Sequence, residues 1–488
     1  MFNFISIFIL IFPMILPAQD IEFLEKVNYG YENYREKTIN HRRFKHSDIK
    51  PLIKNLEKKN FTVNKIGESA QHRDIYLVKW GNGPVKLFLW SQMHGDEPTA
   101  TMALLDIFNF LSGNDSFNDF RDLIKNKLTL YFMPMVNADG AELYQRRNIF
   151  EIDINRDAVR QQTPEGKLLK DVFDSLKADF GFNLHDQSTR YSVGNSSKPA
   201  TLSFLAPTID YEKSISPKRE DAMKLISRIF KNISRFIPRH IARYSDEFEP
   251  RAFGDNFQKS GTRTILVESG GYKNDPEKQF IRKINFLTLL SAFKSIAEES
   301  YKIEDTKVYD EIPFNEKFIM DLLLRNLTVK EAGNEYLIDI GINKEEVNWN
   351  EAKEFYFTSS IEDLGDLSVY YGYEEYDLKG MEVSKGKTYP DVFNSISDIE
   401  SINFLKLYEE GYTNVILKDE KIKPGPTKIP LNIYIQNAPD EYENIMLTQT
   451  ANLIIREERK VKYVIINGFI INPEEINFKN CNGLILKQ

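Results

Sequence analysis

Two histidines and several carboxylates in the first half of the chain have the types and spacing that metal-dependent hydrolysis requires. His94 and Glu97 form an H-x-x-E pair, His185 follows later in the chain, and Glu268 begins the sequence ESGG. Two imidazoles and one carboxylate make a three-ligand zinc site that leaves a fourth position for water. A further carboxylate away from the metal can take the proton from that water. These residues favour one Zn2+ per chain on His94, Glu97 and His185. Glu268 is then the candidate general base.

Each of these residues is expected at the end of a predicted strand. The strands that lead to His94, His185 and Glu268 are predicted at residues 85–90, 180–184 and 264–267. Segments with apolar residues at helical spacing alternate with them, which predicts an α/β domain with a mostly parallel or mixed sheet covered by helices. Ligands in such sheets bind beyond the carboxyl ends of the strands. We therefore expect three separate strand ends to bring these side chains to one site.

Arg146 and Arg156 lie in a cationic stretch between the two histidines. A guanidinium beside a metal suits two tasks, because it can stabilise an oxyanion or bind a substrate carboxylate through two hydrogen bonds. The alternative is that these arginines lie on the solvated surface and pair with Glu142, Glu151 and Asp157, which would contribute little stability. Both interpretations stay open on the residues alone.

Taken in order, these motifs resemble the M14 family of zinc carboxypeptidases over roughly residues 61–300. The zinc-binding motifs of the family match His94, Glu97 and His185, the last within NLHD. The family's general base, in a strand-end E-S-G, matches Glu268. The resemblance implies a metallocarboxypeptidase that hydrolyses the C-terminal bond of a peptide with a free C-terminal carboxylate.

The cationic stretch also matches the family's motifs, from the turn NADG at residues 137–140 to the segment DINR. The resemblance implies that Arg146 stabilises the oxyanion. It further implies that Asn155 and Arg156 hold the terminal carboxylate of the peptide. Asp153 is expected to orient a zinc-ligating histidine from behind the metal.

Three features depart from the family pattern. Ala138 replaces proline in the turn, which puts little in doubt. Asp157 follows Arg156 where the family often has asparagine, and a carboxylate there could weaken anion binding. The tyrosine that many members fold over the substrate is not placed by spacing; Tyr244 is the nearest candidate, and residues 248–256 are unusual.

The composition narrows the possible classes of protein. The chain has 488 residues, of which 41% are hydrophobic, a net charge of −8 and one cysteine. These values exclude a disordered tail, a multi-pass membrane protein and a disulfide scaffold. A negative net charge also gives no basis for a nucleic-acid partner.

The histidines and charges divide the chain into two parts. All six histidines lie in the first half, whereas residues 306–488 hold 20 Lys and Arg against 32 Asp and Glu. Segments rich in β-branched and aromatic residues at 367–371, 431–435 and 464–472 predict strands in this acidic part, with a turn at residues 467–468 inside the last segment. We expect a catalytic domain at residues 19–305. The smaller β-rich region at 306–488 either shields that domain or forms a carbohydrate- or protein-binding module.

An uncharged apolar run opens the chain at residues 2–18, interrupted by Pro13 and Pro17. The run is too short to span a bilayer comfortably, and Ala18 suits signal-peptidase cleavage. Residues 1–18 are therefore predicted to be a signal peptide. We expect the protein to be exported, to the periplasm or the medium, without stable membrane insertion after cleavage. The alternative is a buried core helix or an uncleaved anchor.

Three functions compete on this sequence. The first is an exported zinc carboxypeptidase, and the second is a zinc peptidase or amidase that acts on cell-wall peptides with the same metal and base. The third is a catalytically silent binding domain of the same fold. The third is disfavoured because His94, Glu97, His185 and Glu268 are all present. The carboxylate-binding pair favours the first, although cell-wall peptides also end in carboxylates.

Overall fold

A computed structural model describes residues 15–331, 333–438, 444–475 and 481–487. The chain divides into two units. The first holds the described residues up to Gly194 together with Lys198–Lys317, and the second holds Asn195–Ser197 with the described residues from Phe318 onwards. The first unit ends at Lys317, whereas the predicted division falls after residue 305. The roles of the two parts stay predictions.

The first unit contains an eight-stranded sheet in the order β1-β2-β4-β3-β5-β9-β7-β8 and a two-stranded sheet of β6 and β10. The strands are β1 Thr62–Glu68, β2 Asp74–Gly81, β3 Val85–Ser91, β4 Leu128–Met133, β5 Phe180–Asp186, β6 Ser192–Val193, β7 Leu202–Leu205, β8 Ile241–Arg243, β9 Arg263–Ser269 and β10 Asn315–Glu316. The central strands β4, β3, β5 and β9 run parallel, and β1, β2 and β7 add antiparallel pairings. The predicted α/β class with a mostly parallel or mixed sheet is confirmed.

Alternation along the central strands explains why helices cover both faces of this sheet. In β3, Leu87 and Leu89 belong to one buried apolar cluster, whereas Phe88 and Trp90 belong to another. A parallel strand that is buried on both faces needs such a continuous apolar run. The helices of this unit are α1 Ile15–Tyr29, α2 His46–Asn55, α3 Thr99–Leu111, α4 Asn118–Lys127, α5 Ala138–Leu143, α6 Pro164–Leu176, α7 Pro217–Ile233, α8 Phe253–Lys259, α9 Gln279–Ala297 and α10 Thr306–Asp310.

Two of these helices begin where local sequence signals place them. Thr163 and Ser216 precede prolines, and their hydroxyls accept hydrogen bonds from backbone N–H groups of the first turns of α6 and α7. A hydroxyl at the N-cap and proline at the first helical position satisfy or remove N–H groups that have no partner within the helix. The starts of these helices are therefore encoded locally.

A buried ion pair joins α3 to α9. Asp106 and Arg282 are fully buried, with Nη2 of Arg282 2.5 Å from Oδ1 of Asp106. Arg282 also donates to the carbonyl of Glu36, and Tyr31 donates to Asp106 at 2.7 Å. Because a charge buried without its partner is costly, this network fixes the segment after α1 against the two core helices.

The second unit contains two sheets and two short helices. Its sheets run in the order β13-β12-β11-β15-β20-β21-β22, with β14 paired to β11, and β16-β17-β19-β23-β18. The predicted β-rich C-terminal region is confirmed. Its elements are β11 Ile319–Glu331, β12 Asn334–Trp349, β13 Glu354–Gly365, β14 Tyr371–Asp377, β15 Glu382–Lys385, β16 Lys387–Phe393, α11 Ile396–Glu400, α12 Phe404–Glu409, β17 Tyr412–Leu417, β18 Gly425–Thr427, β19 Asn432–Ile435, β20 Leu453–Glu457, β21 Lys460–Ile466, β22 Phe469–Ile471 and β23 Gly483–Lys487.

One strand prediction in this unit needs correction. Residues 367–370 form a turn and β14 begins only at Tyr371, because Arg325 donates to the carbonyls of Leu367 and Tyr370. The predicted turn at residues 467–468 is confirmed, because it separates the end of β21 from β22. Both residues of that turn, Asn467 and Gly468, have positive φ angles of 49° and 73°, as two-residue hairpin turns require.

The predicted signal peptide lies mostly outside the described residues. The described chain begins at Ile15, the first residue of α1. Within the part of the chain that the structure describes, no helix is both long and apolar enough to cross a membrane.

The ion pair between α3 and α9 predicts a large stability effect. Arg282→Met should leave the Asp106 carboxylate buried without its cation and lower the free energy of unfolding by about 3–5 kcal/mol. Urea denaturation of wild type and variant measures this difference. A loss below about 1 kcal/mol would show that the pair is not needed to hold these helices.

Candidate active site

Three neighbouring parallel strands deliver the candidate metal ligands and the candidate base. His94 and Glu97 lie in the loop between β3 and α3, and His185 lies near the end of β5. The ligand atoms of these three buried residues all lie within 4.8 Å of one another. His185 stands directly opposite Glu268 in the ladder between β5 and β9. The strand ends that the sequence predicts to converge therefore do converge.

The carboxylate of Glu97 lies between the two imidazoles. Its Oε1 is 2.7 Å from Nδ1 of His94, and its Oε2 is 2.6 Å from Nδ1 of His185. Two imidazole nitrogens and one carboxylate oxygen are ordinary zinc ligands, so this donor set fits the metal that the family resemblance implies. The set also matches a catalytic rather than a structural site, because three protein ligands leave one position open.

The structure places Asp153 behind His94. Its Oδ1 lies 3.0 Å from Nε2 of His94, the ring nitrogen that faces away from Glu97. A carboxylate in this position holds the proton on Nε2 and leaves the Nδ1 lone pair for a metal. Asp153 also accepts a hydrogen bond from the backbone N–H of Asn155 at 2.9 Å, which fixes the carboxylate relative to the chain.

Charge within the cluster favours the ionised carboxylate. Burial raises the pKa of Glu97, but the neighbouring His94 and His185 outweigh burial and hold this pKa well below its usual range. Burial lowers the pKa of His94, whereas Glu97 and Asp153 raise it, to about 9. For His185, burial prevails and lowers the pKa. The cluster thus presents an ionised carboxylate to a cation, and a metal that bound Nδ1 of His94 would displace the proton that the raised pKa holds on this ring.

Arg146 reaches the cluster from a more exposed position. Its Nη1 lies 3.1 Å from Nδ1 of His94 and 3.3 Å from Oε1 of Glu97, and its side chain is 45% exposed. Nε and Nη2 both donate to Oδ2 of Asp153, at 3.2 and 3.1 Å. Asp153 therefore orients His94 and Arg146 together, and the guanidinium stands where it can meet negative charge on a bound molecule.

Glu268 is buried, and one of its carboxylate oxygens makes no hydrogen bond. Among the described residues, its Oε2 has no hydrogen-bond partner. Burial, followed by the Glu97 charge, raises the pKa of Glu268 well above its ordinary value. A carboxylate with a raised pKa is a stronger proton acceptor once ionised, as a general base must be. The Glu268 charge also raises the pKa of Tyr244, so the phenol lies within electrostatic reach of this carboxylate.

The candidate carboxylate-binding pair lies in the turn Ile154–Arg156. Oδ1 of Asn155 accepts a hydrogen bond from the backbone N–H of Phe253 at 3.0 Å, which leaves the amide N–H2 for other contacts. Nε of Arg156 lies 3.1 Å from Oε2 of Glu249, and Nη1 donates to the carbonyl of Asn155 at 2.8 Å. The guanidinium is partly buried, with 35% of the side chain exposed.

The ion-pair partner of Arg156 is Glu249, not Asp157. Oδ2 of Asp157 accepts hydrogen bonds from the backbone and hydroxyl of Thr163, and Oδ1 accepts from the backbone of Gln162. Asp157 therefore shapes the loop before α6. The predicted alternative, a surface ion pair between an arginine and Asp157, is wrong. Glu249 lies in the stretch 248–256 that the sequence marks as unusual but gives no reason to pair with an arginine.

The comparison with protein families supports the predicted resemblance. Residues 50–201 match the model of the family Peptidase_M14, zinc carboxypeptidase. This segment contains His94, Glu97 and His185 as well as Arg146. The resemblance to the M14 family predicted from the motifs is confirmed.

Curated relatives are distant and match over a limited stretch. Carboxypeptidase SOL1 of Arabidopsis thaliana is 25% identical over 126 residues, or 24% of this chain and 26% of that protein. Probable carboxypeptidase 2 of Arthroderma benhamiae is 24% identical over 111 residues, or 22% of this chain and 20% of that protein. The chain thus spans about a quarter of the length of the curated relatives it matches.

Among solved structures, a metallo-carboxypeptidase from Burkholderia cenocepacia is 13% identical, with 53% of this chain and 70% of that chain covered and a TM-score of 0.44. Bovine thrombin-activatable fibrinolysis inhibitor, in complex with tick carboxypeptidase inhibitor, is 15% identical, with 52% of this chain and 98% of that chain covered and a TM-score of 0.43.

The donor set predicts how zinc binding responds to mutation. The wild type should hold about one zinc per chain after dialysis, and His185→Ala should lose most of it, because it removes one of three ligands. Elemental analysis by mass spectrometry measures the content. His72→Ala, at a side chain 85% exposed, is the control and should keep the metal. Full occupancy in His185→Ala would contradict the ligand assignment.

Proposed function

We propose that the chain is an exported, zinc-dependent carboxypeptidase that removes single residues from the C-terminal end of peptides. The observation that carries the proposal is the buried cluster of His94, Glu97 and His185 beside Glu268, a carboxylate with an unpartnered oxygen. The family match over residues 50–201 supports a metallopeptidase. Export rests on the apolar run at the start of the sequence.

The residues divide the work of peptide hydrolysis between them. His94, Glu97 and His185 would hold zinc, which would supply a Lewis acid to polarise the scissile carbonyl and make an attacking water more acidic. Glu268 accepts the proton of that water at its unpartnered Oε2 and later delivers it to the leaving amine. Arg146 donates hydrogen bonds to the carbonyl oxygen of the substrate as negative charge develops there.

The turn at Asn155 and Arg156 supplies the end-of-chain selectivity. Glu249 engages the Nε side of the Arg156 guanidinium, and the Nη end keeps N–H donors for a carboxylate. The Asn155 amide offers a second donor group beside it. A terminal carboxylate held here fixes which peptide bond reaches the metal, so that one residue leaves in each event.

Glu268 is proposed to transfer a proton but not to bind the metal. Glu268→Gln should therefore keep zinc and lose at least ~10²-fold in kcat, the usual scale of general acid–base catalysis. Steady-state kinetics on a small peptide, alongside the zinc content of the same sample, measure both effects. Near-normal turnover in this variant would remove Glu268 from the role of base.

Arg156 is the residue that separates exopeptidase from endopeptidase action. Wild type should cleave a free-acid peptide about ten- to a hundredfold better in kcat/KM than its C-terminal amide, because a charge-assisted hydrogen bond contributes roughly 1.5–3 kcal/mol. Arg156→Ala should erase this difference, mainly by slowing cleavage of the free acid.

The matched control for this comparison is Arg146→Ala. It should slow both substrates, since negative charge develops on the carbonyl oxygen whatever group ends the peptide. Equal rates of wild type on acid and amide would contradict the carboxypeptidase proposal. Adding a cell-wall muropeptide to the same assay tests the alternative substrate class, because a clear preference for it would favour a cell-wall peptidase or amidase.

A further inference from the structure

A buried lysine lies beside the candidate active site without a role in the mechanism above. The side chains of Lys278 and Asp186 are each 6% exposed, and Nζ of Lys278 lies 3.0 Å from Oδ2 of Asp186. Nζ also donates to the carbonyl of Ser269 at 3.0 Å, and the hydroxyl of Thr99 donates to the same Oδ2 at 2.5 Å. Removing an ammonium and a carboxylate from water costs several kcal/mol each, so this arrangement is expensive to build.

The partners of this ion pair are sequence neighbours of the active-site residues. Asp186 directly follows His185, and Ser269 directly follows Glu268. Thr99 comes two residues after Glu97, at the first turn of α3. One ammonium and one carboxylate therefore connect the ends of β5 and β9 with the loop that follows β3.

The backbone geometry around this pair links it directly to the cluster. In the ladder between β5 and β9, Asp186 stands opposite Ser269, one step beyond the pair of His185 and Glu268. The backbone N–H of Asp186 also donates to Oε2 of Glu97 at 3.2 Å. A shift of the Asp186 side chain would therefore be transmitted to the ligand carboxylate and to the strand that carries the base.

Lys278 adopts an unusual conformation to make these contacts. It precedes α9 with a φ of 50°, in the left-handed region that residues other than glycine seldom occupy. Such a conformation persists only where surrounding contacts hold it. The contacts of Nζ with Asp186 and Ser269 are of this kind, and they anchor the start of α9 to the strand ends.

We propose that the Lys278–Asp186 ion pair is a positioning device that fixes His185, Glu97 and Glu268 relative to one another. Lys278 acts through Asp186 and the strand ends, and touches neither metal nor substrate. The effect on turnover rests on the proposed function, whereas the effect on metal retention does not. If the ion pair only stabilised the fold, its removal would change metal retention and turnover no more than removal of an equally stabilising ion pair far from the site.

The test compares Lys278→Met with Arg282→Met, which removes the buried cation one helical turn further along α9. Zinc release to a chromogenic chelator and thermal unfolding are measured on both purified zinc-loaded variants. Lys278→Met should release zinc about tenfold faster than wild type or more, because residues that support metal ligands typically contribute 10–100-fold to metal affinity or activity. Arg282→Met should release zinc at the wild-type rate despite an equal or larger loss of stability.

Peptide hydrolysis gives the second readout. Lys278→Met, corrected for zinc content, should show a lower kcat and an unchanged KM, since the base and the ligands are displaced but Arg156 is not. Thr99→Val removes one hydrogen bond to Asp186 at nearly constant size. It should also speed zinc release, by a smaller factor than Lys278→Met does. If Lys278→Met does not fold, Thr99→Val alone tests the positioning role.

Two results would overturn the positioning role. The first is a wild-type rate of zinc release in Lys278→Met, or in Thr99→Val if Lys278→Met does not fold. The second is a rate of zinc release in Arg282→Met as high as that in Lys278→Met. A wild type that binds zinc but hydrolyses no peptide would contradict the proposed function and leave the chelator comparison valid. A wild type that hydrolyses peptides alongside a Lys278→Met variant of unchanged zinc release and kcat would contradict the positioning role alone.

Discussion

The rest of the site depends on one contact, the buried carboxylate of Glu97 between the imidazoles of His94 and His185. A buried carboxylate is tolerated only with compensating partners, and each of its oxygens lies within 2.7 Å of one Nδ1 atom. The two rings sit on the loop after β3 and on β5, so the contact requires these strands to be neighbours. Asp153 then fixes the outer side of His94, and the Lys278–Asp186 pair fixes the strand ends.

The sequence predicts those residues of the site that lie at the ends of buried strands. A parallel strand buried on both faces is a short apolar run, and the polar residue that ends it must face the same edge as its neighbours. His94, His185 and Glu268 each follow such a run, which is why the sequence alone predicts that these side chains meet. The same reasoning predicts the mixed sheet and its helices, because both depend on local apolar periodicity.

Contacts made by side chains across long loops were not predictable in this way. Asp157 is adjacent to Arg156 in sequence, yet the ion pair forms with Glu249, which only the folded chain brings near. In the sequence, Lys278 resembles an ordinary solvated lysine, because the residues around it in the chain do not indicate burial. The predicted strand at residues 367–371 has strong β-propensity, but hydrogen bonds from Arg325 to its carbonyls hold it as a turn. Tertiary contacts override local preference in each case.

Anomalous diffraction at the zinc edge, from crystals of the zinc-loaded protein, tests whether His94, Glu97 and His185 bind the metal. We expect a single strong peak within about 2.0–2.2 Å of Nδ1 of His94, Nδ1 of His185 and a carboxylate oxygen of Glu97. The peak should be absent from crystals of His185→Ala grown under the same conditions. A peak elsewhere in the chain, or ligation through the Nε2 atom of His94 that faces Asp153, would contradict this assignment of the ligands.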